Sequence, residues 1–223
     1  GILAGSVPQS LTMLENGLRF EVDLASGQKT GWFLDQARNR AAAARRAGGL
    51  RVLDAFCNQG GFGLACAAAG AASVLAVDSS APALAAVTAN AARNGLSDRV
   101  STREANAFDL LRELERSGER FGLVVLDPPA FAKNKASVEG ALRGYKDINL
   151  RAMKLLEPGG YLVTCSCSSW VDRDSFMSTI ADAAADARRR FRVLEERPAA
   201  PDHPALLGYS ESRYLKCAIL QAL

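Results

Sequence analysis

The stretch from Val52 to Gly63, V-L-D-A-F-C-N-Q-G-G-F-G, leaves a chain few ways to fold. A short apolar run ends in an acid, a turn of small residues follows, and a helix-like run continues through Leu64 and Ala69. Strand, tight glycine turn and helix N-terminus, in that order, bring backbone N–H groups against a nucleotide-like ligand in α/β proteins. The next apolar run, Ser73 to Val77, ends at Asp78, 24 positions beyond Asp54. An acid at that distance is where a doubly wound fold binds ribose hydroxyls. Gly60, Gly61 and Gly63 do not make G-x-G-x-x-G, and Asp54 opens the loop with negative charge. A carboxylate there repels a pyrophosphate and suits a cation. S-adenosylmethionine, with a sulfonium, an ammonium and no phosphate, is the expected ligand. A glycine turn that only packs a helix on a sheet is the plainer alternative.

The alternation continues downstream. Apolar runs near 51–54, 73–77, 99–103, 121–126 and 160–165 alternate with helical stretches near 61–70, 81–94, 107–117, 138–156 and 172–188. This pattern predicts an α/β, doubly wound, Rossmann-like parallel sheet with helices on both faces. Phe191 to Glu196 and Ser212 to Leu220 read as late strands with no helix between them, able to pair antiparallel at the sheet edge. Ahead of the sheet, Leu11 to Leu14 and Leu18 to Leu24 flank Glu15-Asn16-Gly17, a hairpin turn. Leu34 to Ala47 reads as a helix closed by Gly48-Gly49.

At 223 residues and 48% hydrophobic content the chain can build one full core. A net charge of +3 permits a nucleic-acid partner without demanding one. The five cysteines form no C-x-x-C pair and no metal spacing, so no metal is expected, and free thiols in a reducing cytoplasm are. No apolar run approaches the roughly 18 residues of a membrane span, and no signal segment is evident, so a cytoplasmic protein with no membrane contact is expected. The chain starts at Gly1 without methionine, as a piece of a longer protein would.

Chemistry concentrates at two further strand ends. Leu123 to Leu126 is a buried run that stops at Asp127-Pro128-Pro129-Ala130-Phe131. Strand carboxyl ends form the ligand crevice of open α/β sheets, so Asp127 should share a crevice with Asp54 and Asp78. D-P-P-x-aromatic suits a methyltransferase acting on a planar base, which Asp127 and the Pro128 carbonyl would bind by hydrogen bonds and Phe131 by stacking. Gly160 to Ser169 is the second such end. Period two puts Cys165 and Cys167 on one face, Cys167 nearer the crevice. A thiolate there could attack C6 of a cytosine and make C5 nucleophilic toward a methyl group. Cys57, Cys66, Cys165 and Cys217 read instead as packing residues, with the backbone of Cys57 facing the cofactor. Lys29 and Thr30, in the polar loop Gly27 to Phe33, are candidates for the cofactor's carboxylate or the RNA backbone. His203, the one histidine, lies on a late proline-rich loop that could reach the crevice as a lid or proton relay.

Together these stretches resemble the bacterial 23S ribosomal RNA cytosine-C5 methyltransferases in which a PUA domain and a small β domain precede a class I S-adenosylmethionine-dependent methyltransferase domain. The resemblance rests on E-N-G-L at Glu15, G-Q-K-T-G-W-F-L-D-Q at Gly27, D-A-F-C-N-Q-G-G-F at Asp54, D-P-P-A-F at Asp127, S-C-S at Ser166, D-H-P at Asp202 and Y-L-K at Tyr214. It implies Cys167 as nucleophile and Asp127 as the carboxylate that orients the cytosine. It implies cofactor contacts from Lys29, Thr30, Asp54, Phe56, Cys57, Gly60, Asp78, Asn106, Ala107 and Asp127, and substrate contacts from Pro128, Phe131, Arg38 and His203. Asn106 stands where the family has an aspartate for the adenine amino group, and Ala37 where it has an arginine, leaving Arg38 or Arg40 to serve. The implied organisation is a linker over 1–10, a small β appendage over 11–30 and the methyltransferase domain over 31–223, with no PUA domain. Ribosomal RNA is the implied partner, and homodimerisation stays open. Two other readings compete: methylation of a purine nitrogen, which also uses D-P-P-aromatic but no thiol, and a non-catalytic cofactor- or RNA-binding module.

Overall fold

The structure is a computed structural model, and it describes residues 4–6, 8, 11–22, 24 and 31–223. A hairpin of β1 (Leu11–Glu15) and β2 (Leu18–Val22) turns at Asn16 and Gly17, whose φ angles of 50° and 82° are those an Asn-Gly pair adopts in a tight hairpin. A 3-10 turn, Leu34–Gln36, leads into α1 (Ala37–Ala44). The main sheet and its helices follow as β3 (Arg51–Ala55), α2 (Gly61–Ala68), β4 (Ser73–Asp78), α3 (Ala81–Arg93), β5 (Val100–Glu104), α4 (Ala107–Arg116) and β6 (Phe121–Leu126). The remainder is α5 (Val138–Leu155), β7 (Leu156–Ser166), α6 (Arg173–Asp186), β8 (Phe191–Arg197) and β9 (Lys216–Ala222).

The seven strands lie in the order β5-β4-β3-β6-β7-β9-β8. β3 to β7 are parallel, and β9 runs antiparallel to both of its neighbours. The strand order reverses between β3 and β6, which opens a crevice at their carboxyl ends. The expected α/β Rossmann-like sheet with an N-terminal hairpin is therefore what the chain forms.

All six residues of β6 are buried, as a strand covered on both faces requires. Successive residues serve opposite layers: Val124 packs with Leu53, Leu111 and Ile148, while Val125 packs with Val52, Phe62 and Val163. The hairpin buries Leu18, Phe20 and Val22 with Trp32 against Leu64 of α2 and Ala91 of α3. Among the described residues no helix is long and apolar enough to cross a membrane.

Beyond shifts of one or two residues at element ends, three boundaries differ from the sequence reading. The last strand begins at Lys216 rather than Ser212, because Ser210–Arg213 winds into a 3-10 turn. β7 starts at Leu156 rather than near 160, since a register shift opposite Phe121 and Leu123, with Gly159 at φ 76°, absorbs the Pro-Gly-Gly segment inside the strand. The helix placed over 34–47 opens as a 3-10 turn and ends at Ala44.

Candidate active site

A cleft of 1110 Å³ opens at the carboxyl ends of the central strands. Its floor is the loop between β3 and α2, in which Phe56 (φ 62°), Asn58 (φ 48°) and Gly60 (φ 83°) are all left-handed. Such a conformation costs about 1–3 kcal/mol at a non-glycine residue and persists only where neighbours enforce it. Here the Cys57 N–H donates to the Val77 carbonyl at 2.9 Å and the Asn58 N–H to the Asp78 carboxylate at 2.9 Å. The Gln59 amide donates to the Gly31 carbonyl at 3.1 Å.

Asp54 lies beneath this loop. Its Oδ2 accepts the Gly63 N–H at 2.7 Å, and a Cβ on Gly63 would come within 2.9 Å of that oxygen, so only glycine fits. Its Oδ1 is buried and has no hydrogen-bond partner among the described residues. Burial pushes the Asp54 carboxyl up to about 7; the Gly63 hydrogen bond opposes this, and the like charges of Asp127 and Asp78 add to it. Asp54 is buried and does not line the cleft, so it supports the loop from below rather than facing a ligand. Asp78 and Asp127 do line it, and the sulfonium and ammonium of S-adenosylmethionine fit that pair of carboxylates.

The sign of the Asp54 shift is testable. The folded protein keeps a proton that the unfolded chain gives up, so this group's contribution to stability falls as pH rises from about 4 to about 7. The stability of Asp54→Asn relative to the unsubstituted protein is therefore expected to rise by about 1.4 kcal/mol per pH unit across that window. Urea denaturation of both proteins at pH 5 and pH 7 reads this, and an equal difference at the two pH values would show an ordinary carboxylate.

Asp78 ends β4 on the cleft wall and also accepts the Ser80 N–H at 3.0 Å. Asn106 and Ala107 reach the same wall. The Asn106 amide oxygen accepts the Phe108 N–H at 2.9 Å as the N-cap of α4, which leaves the amide nitrogen as the donor not used by the cap. Gly60 is the cap of α2 and does not form part of the wall. Lys29 and Thr30 lie outside the described residues.

The opposite side of the cleft carries Asp127, Pro128, Phe131 and Cys167. Asp127 Oδ1 accepts from Gln36 Nε2 at 2.8 Å, and Gln36 Oε1 in turn accepts from Asn39 at 2.7 Å. Cys167 is half-buried, with its Sγ 3.8 Å from the Pro128 carbonyl oxygen. The other four cysteines are buried. Contact with Cys217 and burial hold Cys165 well above the usual thiol range, and burial does the same for Cys57 and Cys66. The thiol of Cys57 packs with Ala76, Leu84 and Val87. Cys167 is thus the thiol best placed to react.

Several residues that build the site escaped the sequence reading. Tyr145 is fully buried in α5, and its hydroxyl meets Ser166 Oγ at 2.9 Å and Ser168 Oγ at 3.0 Å, one on each side of Cys167. Ser168 Oγ also accepts the Ala132 N–H at 3.2 Å, and the Tyr145 ring lies 4.7 Å from that of Phe131. One tyrosine therefore ties the Cys167 turn to the Asp127–Phe131 loop. Phe108 joins Phe56 and Phe131 in an aromatic cluster on the cleft wall, with centroids 6.2 and 5.7 Å away. Lys216 donates to the carbonyls of Ser168 (2.6 Å), Val171 (2.6 Å) and Tyr214 (2.8 Å). Burial lowers its ammonium to about 8, while the charges of Cys167 and Asp172 favour its protonated form.

Arg38 and His203 do not join the cleft. Arg38 is exposed, and with His203 it lines a separate pocket behind Leu215. The helical period explains the exchange: Gln36, Asn39 and Arg40 share the buried face, so Arg38 points away and Arg40 reaches the cleft. Of the two arginines, Arg38 and Arg40, left to serve in place of one at Ala37, it is Arg40 that reaches the cleft.

The family described as S-adenosylmethionine-dependent methyltransferase matches residues 2–211. A protein of Shewanella denitrificans named ribosomal RNA large subunit methyltransferase I is 49% identical over 218 residues, which cover 97% of this chain and 55% of that protein. Its namesake in Shewanella frigidimarina is 48% identical over the same shares. The chain spans about half the length of the curated relatives it matches. A solved structure of a proposed methyltransferase complexed with SAH superposes with a TM-score of 0.88 at 23% identity, over 99% of this chain and 58% of that one. These findings correct one expectation. Neither the family description nor the relatives' name specifies cytosine C5 or a PUA domain, so the PUA-type cytosine-C5 family is not the one they support.

Proposed function

This chain belongs to the S-adenosylmethionine-dependent methyltransferase family, and from that premise we propose that it methylates C5 of a cytosine in large-subunit ribosomal RNA. The observation that carries the reaction is Cys167: a half-buried thiol in the cleft wall, beside the Pro128 carbonyl and in the same wall as Asp127. The name of the curated relatives supports the class of substrate.

S-adenosylmethionine supplies an electrophilic methyl group when bound. Asp127, held by Gln36, accepts a hydrogen bond from the cytosine amino group, and the Pro128 carbonyl borders the same edge. Phe131 meets the face of the ring. The Cys167 thiolate forms a bond to C6, which pushes the C5–C6 electron pair onto C5; the bound cofactor would supply the methyl to C5, its S–CH3 bond breaking to leave the neutral thioether S-adenosylhomocysteine. A base removes the C5 proton, the C5=C6 bond returns, and the thiolate leaves C6. Lys216 holds the turn that carries Cys167, and its ammonium stabilises the thiolate.

Large-subunit RNA from a strain lacking this gene, treated with the protein and S-adenosylmethionine, is expected to gain 5-methylcytidine by nucleoside mass spectrometry. A methylated purine in its place would overturn the thiol mechanism. Cofactor binding without any methylated nucleoside, on naked RNA or on ribosomal particles, would leave a binding module.

A further inference from the structure

We propose that the pocket behind Leu215 binds a backbone phosphate of the RNA, next to the nucleotide whose base enters the cleft. This rests on the RNA methyltransferase reading above and adds a second, non-catalytic contact to it.

The pocket has a volume of 370 Å³, enough for a phosphodiester and its sugar, and Leu215 is a wall of both it and the cleft. Three separate elements each bring an arginine to it: Arg38 from α1, Arg197 from the end of β8, and Arg213 from the 3-10 turn before β9. The one acid on its lining, Glu196, is already held by Arg173 through two hydrogen bonds of 2.7 and 2.8 Å. Arg197 is offset by Glu195 and fixed by Asn39 at 3.0 Å, so it shapes the wall more than it charges it. Arg38 and Arg213 are exposed and have no acidic partner among the described residues. Two arginines with no acidic partner among the described residues thus line one concavity, beside a histidine whose Nδ1 is 3.2 Å from Asp202.

Guanidinium forks suit phosphate oxygens, and phosphate contacts set register without reading sequence. A target base held in the cleft leaves its neighbouring phosphates a short step away, and Leu215 is the one wall the two concavities share among the described residues. The charged groups of the pocket would hold the strand while Asp127 and Cys167 act on the base.

The test is fluorescence anisotropy of a labelled large-subunit RNA fragment with the full chain, titrated at several salt concentrations. Arg38→Ala and Arg213→Ala are each expected to weaken binding about 5- to 10-fold. The double variant should lower the slope of log affinity against log salt by about 1. Arg213→Lys should keep the slope while losing part of the affinity, because charge survives and the fork does not. S-adenosylmethionine affinity by calorimetry, unchanged in all of them, checks the fold. A double variant with normal affinity and slope, in a protein that methylates ribosomal RNA, overturns the pocket alone. An unsubstituted protein that neither binds nor methylates RNA overturns the RNA reading and the pocket with it. Weakening by inorganic phosphate at millimolar concentration, equal in the normal and double-variant proteins, would also count against the pocket.

Discussion

Cys167→Ala is expected to abolish methyl transfer, by a factor on the order of 10⁴ or more, while S-adenosylmethionine still binds with normal affinity. The cleft floor is the β3–α2 loop, and among the described residues the hydrogen bonds of Asp54 and Asp78 run to Gly63, Asn58 and Ser80 rather than to the S-C-S turn. Removing one sulfur should therefore leave binding intact and take away only the electron push that makes C5 reactive. RNA carrying 5-fluorocytidine gives a second readout. Fluorine at C5 cannot leave as a proton does, so the adduct between Cys167 and C6 should persist and shift the protein on a denaturing gel. Cys167→Ala should show no such shift. Normal turnover in that variant would end the covalent mechanism, and the four buried cysteines offer no substitute thiol.

The second large effect concerns stability. Glu15→Ala is expected to cost about 3–5 kcal/mol, because it strands a buried arginine. Glu15 ends β1, and its carboxylate lies 2.7 Å from Arg40 Nε and accepts the Trp32 indole N–H at 2.9 Å. The two side chains of the ion pair are only 9% and 5% exposed. Arg40 also donates to the Phe33 carbonyl and stacks 4.7 Å over the Trp32 ring. Burial lowers the guanidinium pKa, and Glu15 is the largest influence holding the proton on. Domains of this size have about two or three such increments of stability in all, so the urea midpoint should fall sharply. The same arginine supports the cofactor loop, since a Cβ on Gly61 would meet its NH1 at 2.6 Å. Cofactor affinity should fall together with the midpoint. Replacing both partners, as Glu15→Leu with Arg40→Met, should recover most of the stability, because no buried charge is left alone. A loss under about 1 kcal/mol in Glu15→Ala would mean that water reaches the pair.

What could be read from the chain was local. Asp54, Asp78 and Asp127 each close an apolar run and precede glycine, serine or proline, and that punctuation marks a strand end without knowledge of its neighbours. Adjacent strand ends then fall into one crevice by the rule of open parallel sheets. Gln36, and the choice of Arg40 over Arg38, were within reach of the same reasoning, since Gln36 and Arg40 lie on the helical face shared with Asn39, opposite Arg38. Tyr145 and Lys216 were not. Tyr145 meets Ser166 21 positions away, and Lys216 meets Ser168 48 positions away. No periodicity or turn signal connects residues that distant; only the packing of α5 and β9 against the end of β7 does. The late strand was misplaced at its start for a related reason. Ser212 to Leu215 shows no alternation of its own, and the strand begins where pairing with Ser166 becomes available.

The position of β9 also sets an order of assembly. It follows β8 in the chain, yet it sits between β7 and β8, and among the described residues β8 pairs with no other strand. A nascent chain that has left the ribosome only as far as Arg197 holds β8 as an unpaired ribbon. It also lacks the lysine that grips the carbonyls of Ser168 and Val171. The turn that carries Cys167 is thus not held in place until residues 216–222 have emerged and slid into the sheet. Translation thus leaves the cleft wall incomplete until the strand that follows β8 has joined the sheet.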